Sequence, residues 1–238
     1  MNFGPIPWDF VLILAGLAVI IPWRGTVRIR QFLKRPELTT ADRLSLYGST
    51  IAFQWIIVAF VAWRAHSRGM NLGELGLVTS DPWRTTEVTV GLTLLLCAIQ
   101  FASLRRIVGM PDGERGPLFE VTEKIMPHSS IEILVFTALA CTAGLSEEFL
   151  YRGFVLAVFA RIFAESVRAV STAAVLSSLW FAVAHLYQGK RGVITTFVVG
   201  IIFCLARIFT GSLFPPMAAH IGVDLVAGAC ISASFGRS

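Results

Sequence analysis

The sequence predicts an all-α, polytopic transmembrane bundle of about six to eight spans, and three observations predict it. Of the 238 residues, 55% are hydrophobic and only 15% charged, against about 25% charged in an ordinary soluble domain. The apolar residues gather in uncharged runs at 10–23, 44–63, 88–104, 133–146, 169–187, 192–206 and 208–235. Most of these approach the roughly 17–25 residues that a helix needs to cross the hydrocarbon. None alternates polar and apolar residues over about ten positions, as a strand of a transmembrane barrel would.

The first run has no Lys or Arg before it, and the basic cluster Arg24, Arg28, Arg30, Lys34, Arg35 and Arg43 follows it. A secretory leader carries its charges the other way round, so this segment is expected to stay as a helix. The positive-inside rule then puts the 24–43 loop in the cytoplasm and the N-terminus outside. Counted onward with seven crossings, the 105–130 loop, with Arg105, Arg106, Arg115 and Lys124, also falls inside, as does Lys190-Arg191. Isolated groups such as Gln54 and Gln100 aside, the first three spans carry almost nothing polar. Turn signals at Pro111-Asp112-Gly113 and Gly116-Pro117 separate these accessory helices, 1–110, from a second bundle over 130–235. No linker, repeat or low-complexity stretch intervenes, so 1–238 reads as a single transmembrane domain whose chemistry belongs to its second half.

The net charge of +5 lies in loops between apolar spans. Topology and anionic headgroups account for it, and nucleic acid is not an expected partner. Cys97, Cys141, Cys204 and Cys230 are scattered through apolar runs without a Cys-x-x-Cys spacing, so they read as small buried hydrophobes.

Glu147, Glu148 and Arg152 interrupt this apolar chain. An ionisable side chain at bilayer depth costs about 2.5–3.5 kcal/mol even on insertion scales, so such a group is retained for function and has a partner. Glu148 and Arg152 are at i,i+4, on one helix face where an ion pair forms. Glu147 points about 100° away and is left for proton work. The bland alternative sets both acids in a headgroup-level loop that solvates a helix end, as Glu132 and Glu165 are expected to do. His185 closes the 169–187 run four residues after Phe181, and taken alone it reads as an interfacial side chain. His220 and Asp224 repeat the i,i+4 spacing in the last run, after the Pro215-Pro216 break, where the carboxylate would orient the imidazole. For these groups to meet, helix must continue from 131 through 153–160 to about Phe163, a long or broken helix of roughly 50 Å with Glu147 near its middle. A free carboxylate, two imidazoles and a second acid gathered in lipid are equipment for activating water and stabilising an oxyanion, and amide hydrolysis fits that set.

Three elements in this order resemble the CAAX protease and bacteriocin-processing (CPBP, or Abi) intramembrane endopeptidases. Glu147-Glu148-Phe149-Leu150-Tyr151-Arg152 is similar to the family's Glu-Glu-x-x-x-Arg, and Phe181-Ala182-Val183-Ala184-His185 to its Phe-x-x-x-His. His220-Ile221-Gly222-Val223-Asp224 is similar to its His-x-x-x-Asn/Asp, and Phe197-Val198-Val199-Gly200 supplies the small residue between them. The resemblance covers about residues 130–235 and implies peptide-bond hydrolysis in or beside the membrane. In it Glu147, helped by His185, would activate water, Glu148 with Arg152 would hold the site, and His220 with Asp224 would bind the oxyanion or a ligand. Asp224 stands where the eukaryotic prenyl-protein endopeptidases of the family carry Asn.

The implied partners are a peptide or membrane-protein substrate and the lipid bilayer, and the implied location is a multi-pass position in a bacterial cytoplasmic membrane. No cofactor is assigned, and the resemblance to the eukaryotic members favours a metal-free, glutamate-based mechanism. A divalent metal such as zinc stays open, with Glu147, His185, His220 and Asp224 as its ligands, although His-Glu-x-x-His is absent. The rival functions are a non-catalytic immunity or partner-binding membrane protein and a transporter using Glu147 and the two histidines as a proton relay.

Overall fold

The computed structural model describes residues 6–111, 114–115, 117–163 and 167–235. Among the described residues there is helix and no strand. The order is α1 (Trp8–Leu33), α2 (Thr40–Ser67), α3 (Pro82–Val108), α4 (Pro117–Ile125), α5 (Ser130–Glu148), a π-helical stretch (Phe149–Val155), α6 (Leu156–Ile162), α7 (Val167–Ala184), a 3₁₀ turn (Leu186–Gln188), α8 (Gly189–Thr210) and α9 (Phe214–Phe235).

Local chemistry fixes where these helices start and stop. Thr39 caps α2 through a reciprocal pair: its hydroxyl accepts from the Asp42 N–H while the Asp42 carboxylate accepts from the Thr39 N–H. Asp81 caps α3 with Pro82 at the first helical position, and Ser129 caps α5 by accepting from the Glu132 N–H. Helix α8 ends on Gly211 at φ 72°, the left-handed conformation that glycine adopts without steric cost. The last apolar run of the sequence therefore divides differently from expectation. Residues 208–210 finish α8, the break falls at 211–213, and Pro215-Pro216 lies in the first turn of α9, where no helical donor is lost.

Six helical segments are long and apolar enough to cross a membrane, and Arg168–Ala184 forms a shorter apolar helix among them. The chain is an integral, multi-pass membrane protein. The longest segment, Ser130–Ile162, joins α5, the π-helical stretch and α6 into one rod of 33 residues, about 50 Å at 1.5 Å per residue. This is the long helix that the meeting of the polar groups requires. The rod packs against α2, α7 and α9, while α3 lies along α9, α8 along α7, and α1 against α7. Phe149, Leu150, Phe154, Val155 and Val158 of the rod form the centre of the largest apolar core, together with Phe10 and Leu17 of α1 and Ala173 of α7.

Polar ties hold the two ends of the bundle. At one end the buried Arg43 Nε donates to Glu132 Oε2 at 2.8 Å, and Lys124 Nζ donates to the Arg35 carbonyl at 3.3 Å. The basic loops near 24–43 and 105–130 thus share an end, as the charge count anticipates. At the other end Arg161 pairs with Glu74 at 2.6 Å, Arg207 Nη2 donates to the Gly73 and Glu74 carbonyls, and Arg64 and Arg68 converge on Asp9. The expectation for Glu132 is corrected. It is fully buried and bonded to Arg43 and the His128 N–H, joining α2 to α5 rather than solvating a helix end. Glu165, Asp112, Gly113 and Gly116 lie outside the described residues. All four cysteines are free thiols, with Cys204 buried.

Candidate active site

Glu147, Glu148 and Arg152 sit near the middle of the long rod, where α5 passes into the π-helical stretch. A π turn widens the helix and disturbs the regular backbone ladder. Within it, the Tyr151 carbonyl accepts a bond of 2.6 Å from Ser177 Oγ of α7. Arg152 Nη1 donates to Glu148 Oε1 at 2.8 Å, both side chains being 0% exposed. The guanidinium lies 4.0 Å from the ring centre of Phe181 and 5.2 Å from that of Phe203, so two aromatic faces flank a desolvated cation. Gly200 makes the room: a Cβ there would stand 3.2 Å from Arg152 Nη2 and 3.0 Å from Ser178 Cβ.

Helix α9 brings His220 to the same carboxylate. Its Nδ1 lies 2.8 Å from Glu148 Oε1, and because an ionised carboxylate only accepts, Nδ1 carries the proton. The approach depends on Gly144, one turn before Glu148. A Cβ at 144 would stand 3.1 Å from both the Ile221 nitrogen and the Met217 carbonyl oxygen. The sequence suggested that Asp224 orients this imidazole. The structure instead gives that bond to Glu148, and Asp224 Oδ2 is 3.8 Å from Nε2, beyond hydrogen-bond range.

Glu147 leaves the rod on another side and meets different neighbours. Its Oε1 accepts a 2.8 Å bond from Gln54 Nε2 of α2, and its Oε2 lies 3.7 Å from His185 Nε2. His185 follows the last residue of α7, and its Nδ1 is 2.8 Å from the Phe181 carbonyl. A carbonyl cannot donate, so Nδ1–H is the donor and Nε2 faces Glu147. The 3.7 Å separation is too long for a direct hydrogen bond and leaves both atoms available to a third group. Phe181 fixes the two imidazoles relative to each other, with ring centres 4.6 Å from His185 and 6.1 Å from His220. All six predicted residues are therefore gathered around Phe181 and the π turn, with Asp224 the most loosely held. Gln54 was passed over as an isolated polar group. Its lone amide in an otherwise apolar span was the available signal.

Glu147, His185 and Gln54 line a cavity of about 180 Å³ between α1, α2 and the 3₁₀ turn, closed by Leu150, Tyr151 and Tyr187. Ile21, Phe53 and Ile57 are shared with a larger apolar groove of about 560 Å³ between α1 and α2. The donor set does not fit a zinc centre, because no three His, Cys, Asp or Glu side chains among the described residues converge on one point.

A buried acid is bonded to an arginine and an imidazole, beside a second acid 3.7 Å from another imidazole, a set of groups that can hold and pass protons inside a membrane bundle. Residues 129–226 match the family described as type II CAAX prenyl endopeptidase, Rce1-like. The match lies in the second half of the chain and covers every one of the six site residues, so this part of the chain is similar to that family. No curated protein and no solved structure matches the chain.

Proposed function

We propose that this protein is an intramembrane endopeptidase of the CAAX type that hydrolyses a peptide bond with water activated by Glu147. The observation that carries the reading is the pairing of Glu147 Oε2 with His185 Nε2 at 3.7 Å in a cavity reached from an apolar groove. A water between these atoms gives its proton to the Glu147 carboxylate as its oxygen bonds to the scissile carbonyl carbon. The carbonyl oxygen becomes an oxyanion, which His220 would stabilise through an Nε2–H carried by its doubly protonated ring, since its Nδ1–H is already given to Glu148. When the intermediate collapses, the C–N bond breaks and the protonated Glu147 returns its proton to the leaving amine. The products are a carboxylic acid and an amine, between which one proton then passes to give carboxylate and ammonium, and Glu147 is regenerated.

Glu148 is assigned a positioning role. Its bonds to Arg152 and His220 hold α5 and α9 in register and orient the His220 ring. Asp224, near Nε2, would stabilise that imidazole while it donates. The groove between α1 and α2 would admit a substrate segment from the lipid, and the basic loops put the cavity's arginine-lined end on the cytoplasmic side.

The test is incubation of the purified protein, in detergent and in vesicles, with a peptide library whose products are identified by mass. Glu147→Gln should lower turnover by about 10²–10⁴-fold, the range of general-base catalysis, while the melting temperature holds. Products that persist at wild-type rate in Glu147→Gln would overturn the assignment. Unchanged biological activity of that variant would instead support a partner-binding role, and proton-coupled uptake into proteoliposomes a transporter.

A further inference from the structure

Tyr187 lines the cavity that holds Glu147 and His185, yet the hydrolytic chemistry gives it no role. It sits in the 3₁₀ turn Leu186–Gln188, two residues after the catalytic imidazole, with the two ring centres 5.8 Å apart. The turn ends on Gly189 at φ 74°, a positive angle that glycine adopts without steric cost. The side chain of Gln188 is held at both of its polar atoms: Oε1 accepts from Thr196 Oγ1 at 3.3 Å, and Nε2 donates to the Tyr187 hydroxyl oxygen at 3.4 Å. Gly192 leaves the room this needs, since a Cβ there would stand 2.3 Å from Gln188 Cβ and 2.9 Å from its Oε1. A hydroxyl whose oxygen accepts from an amide keeps its own proton for another acceptor. The Tyr187 hydroxyl is within electrostatic reach of the Glu147 and Asp224 carboxylates, but among the described residues it donates to neither. Asp224 is in turn 3.8 Å from His220 Nε2. An oriented donor with an uncommitted proton thus shares the space of the water-activating acid and the second imidazole. Tyr151 lines the cavity too, but among the described residues no hydrogen bond orients its hydroxyl.

We infer that the Tyr187 hydroxyl is a second hydrogen-bond donor to the oxyanion, alongside His220, and that Gln188 is the positioning residue that turns it into the cavity. This rests on the hydrolytic reading and adds a catalytic group to it. Oxyanion stabilisation is strongest from donors aimed in advance at the place where charge develops, in a space that excludes water. A phenol supplies such a donor without a formal charge, so it is held in an apolar cavity at lower cost than a cation. No proton leaves the phenol. Its O–H bond to the substrate oxygen tightens as that oxygen becomes negative, and relaxes when the C–N bond breaks. A tyrosine of the membrane interface ordinarily keeps its hydroxyl in headgroup water. Tyr187 is only partly exposed, and its hydroxyl is tied to the amide of Gln188 beside the catalytic cavity.

The test compares Tyr187→Phe with the full-length wild type in detergent, on a library peptide that the wild type cleaves. The substitution removes one hydroxyl and keeps the ring beside Gly25 and His185, so the melting temperature is expected to hold. The expected result is a fall in kcat of about 10²–10³-fold, the loss typical of one oxyanion donor, with KM little changed. A phosphinic analogue of the same peptide, in which a tetrahedral anion replaces the scissile amide, should bind Tyr187→Phe more weakly by the same factor. The unreacted peptide, measured on the Glu147→Gln background, should bind equally with and without the hydroxyl. Gln188→Met should lower kcat about 2–10-fold, the effect of one neutral hydrogen bond, and should have no further effect in the Tyr187→Phe background. Equal losses from Gln188→Met in both backgrounds would overturn the positioning role. Wild-type kcat in Tyr187→Phe would overturn the donor, as would a loss confined to KM and matched by weaker binding of the unreacted peptide. Should Tyr187→Phe lose its fold, Gln188→Met decides instead: equal losses of kcat and phosphinate affinity support the donor, and wild-type values for both overturn it. Absence of cleavage of every library peptide by the wild type would reject the hydrolytic reading and the donor with it, whereas cleavage that ignores the hydroxyl rejects the donor alone.

Discussion

Gln54 of α2 donates a 2.8 Å hydrogen bond to Glu147 of α5, across 93 positions of sequence. The bond occupies one carboxylate oxygen and leaves the other towards His185, so in the proposed mechanism α2 sets which oxygen of the acid faces the water. Gln54→Leu is expected to free the Glu147 rotamer and lower kcat by about tenfold, the effect of losing one positioning bond to a charged group, with KM less affected. Gln54→Glu should be worse, since it sets a second carboxylate against the first. Peptide-cleavage kinetics alongside thermal melting check this, and equal kcat for Gln54→Leu and wild type would remove Gln54 from the site.

Glu148 and Arg152 predict a stability effect rather than a purely kinetic one. Both side chains are fully buried, and Glu148 serves Arg152 and His220 with the same oxygen. Removing one member of a buried pair strands the other charge, at a typical cost of about 3–5 kcal/mol. Glu148→Ala should therefore lower the melting temperature far more than Glu147→Ala, whose side chain is 19% exposed in the cavity. Comparable melting temperatures for the two variants would contradict the assigned division of labour.

The polar residues of this site were legible because a lipid-dissolved chain keeps ionisable groups only where they are used. Spacing alone paired Glu148 with Arg152, since i,i+4 is fixed by helix geometry. What spacing could not give was the contact between elements. His220 was assigned to Asp224, its neighbour in the helix, yet its hydrogen bond goes to Glu148, which α5 delivers across Gly144. The same reason hid the Glu132–Arg43 pair, 89 positions apart, and the π-helical stretch, whose backbone shift carries no composition signal. Gln54 was missed because a single neutral amide has no periodic pattern and becomes informative only when its partner is known.

Gly144 sets the distance between α5 and α9. A methyl group there would meet backbone atoms of Met217 and Ile221 at 3.1 Å, and backbone cannot swing aside as a side chain can. Gly144→Ala is expected to cost about 1–3 kcal/mol, the usual range for overpacking, and to move His220 away from Glu148. A drop in both melting temperature and kcat is the expected result. Loss of stability with kcat unchanged would mean that the His220–Glu148 bond is dispensable for turnover.

The Arg43–Glu132 pair predicts how the accessory helices stay registered on the long rod. Arg43 Nε donates at 2.8 Å to a carboxylate that also accepts from the His128 N–H, so one acid fixes α2 and the segment before α5 together. Because α2 carries Gln54 about three turns further along, loss of this anchor should reach the active site through the helix. Arg43→Met and Glu132→Gln are each expected to destabilise by several kcal/mol. The double variant should be less harmful than the sum, because no buried charge is then left alone. A double-mutant cycle by chemical denaturation measures the coupling, and kcat in the same variants should fall in parallel with Gln54→Leu. Additive losses in the cycle would show that the two side chains do not depend on each other.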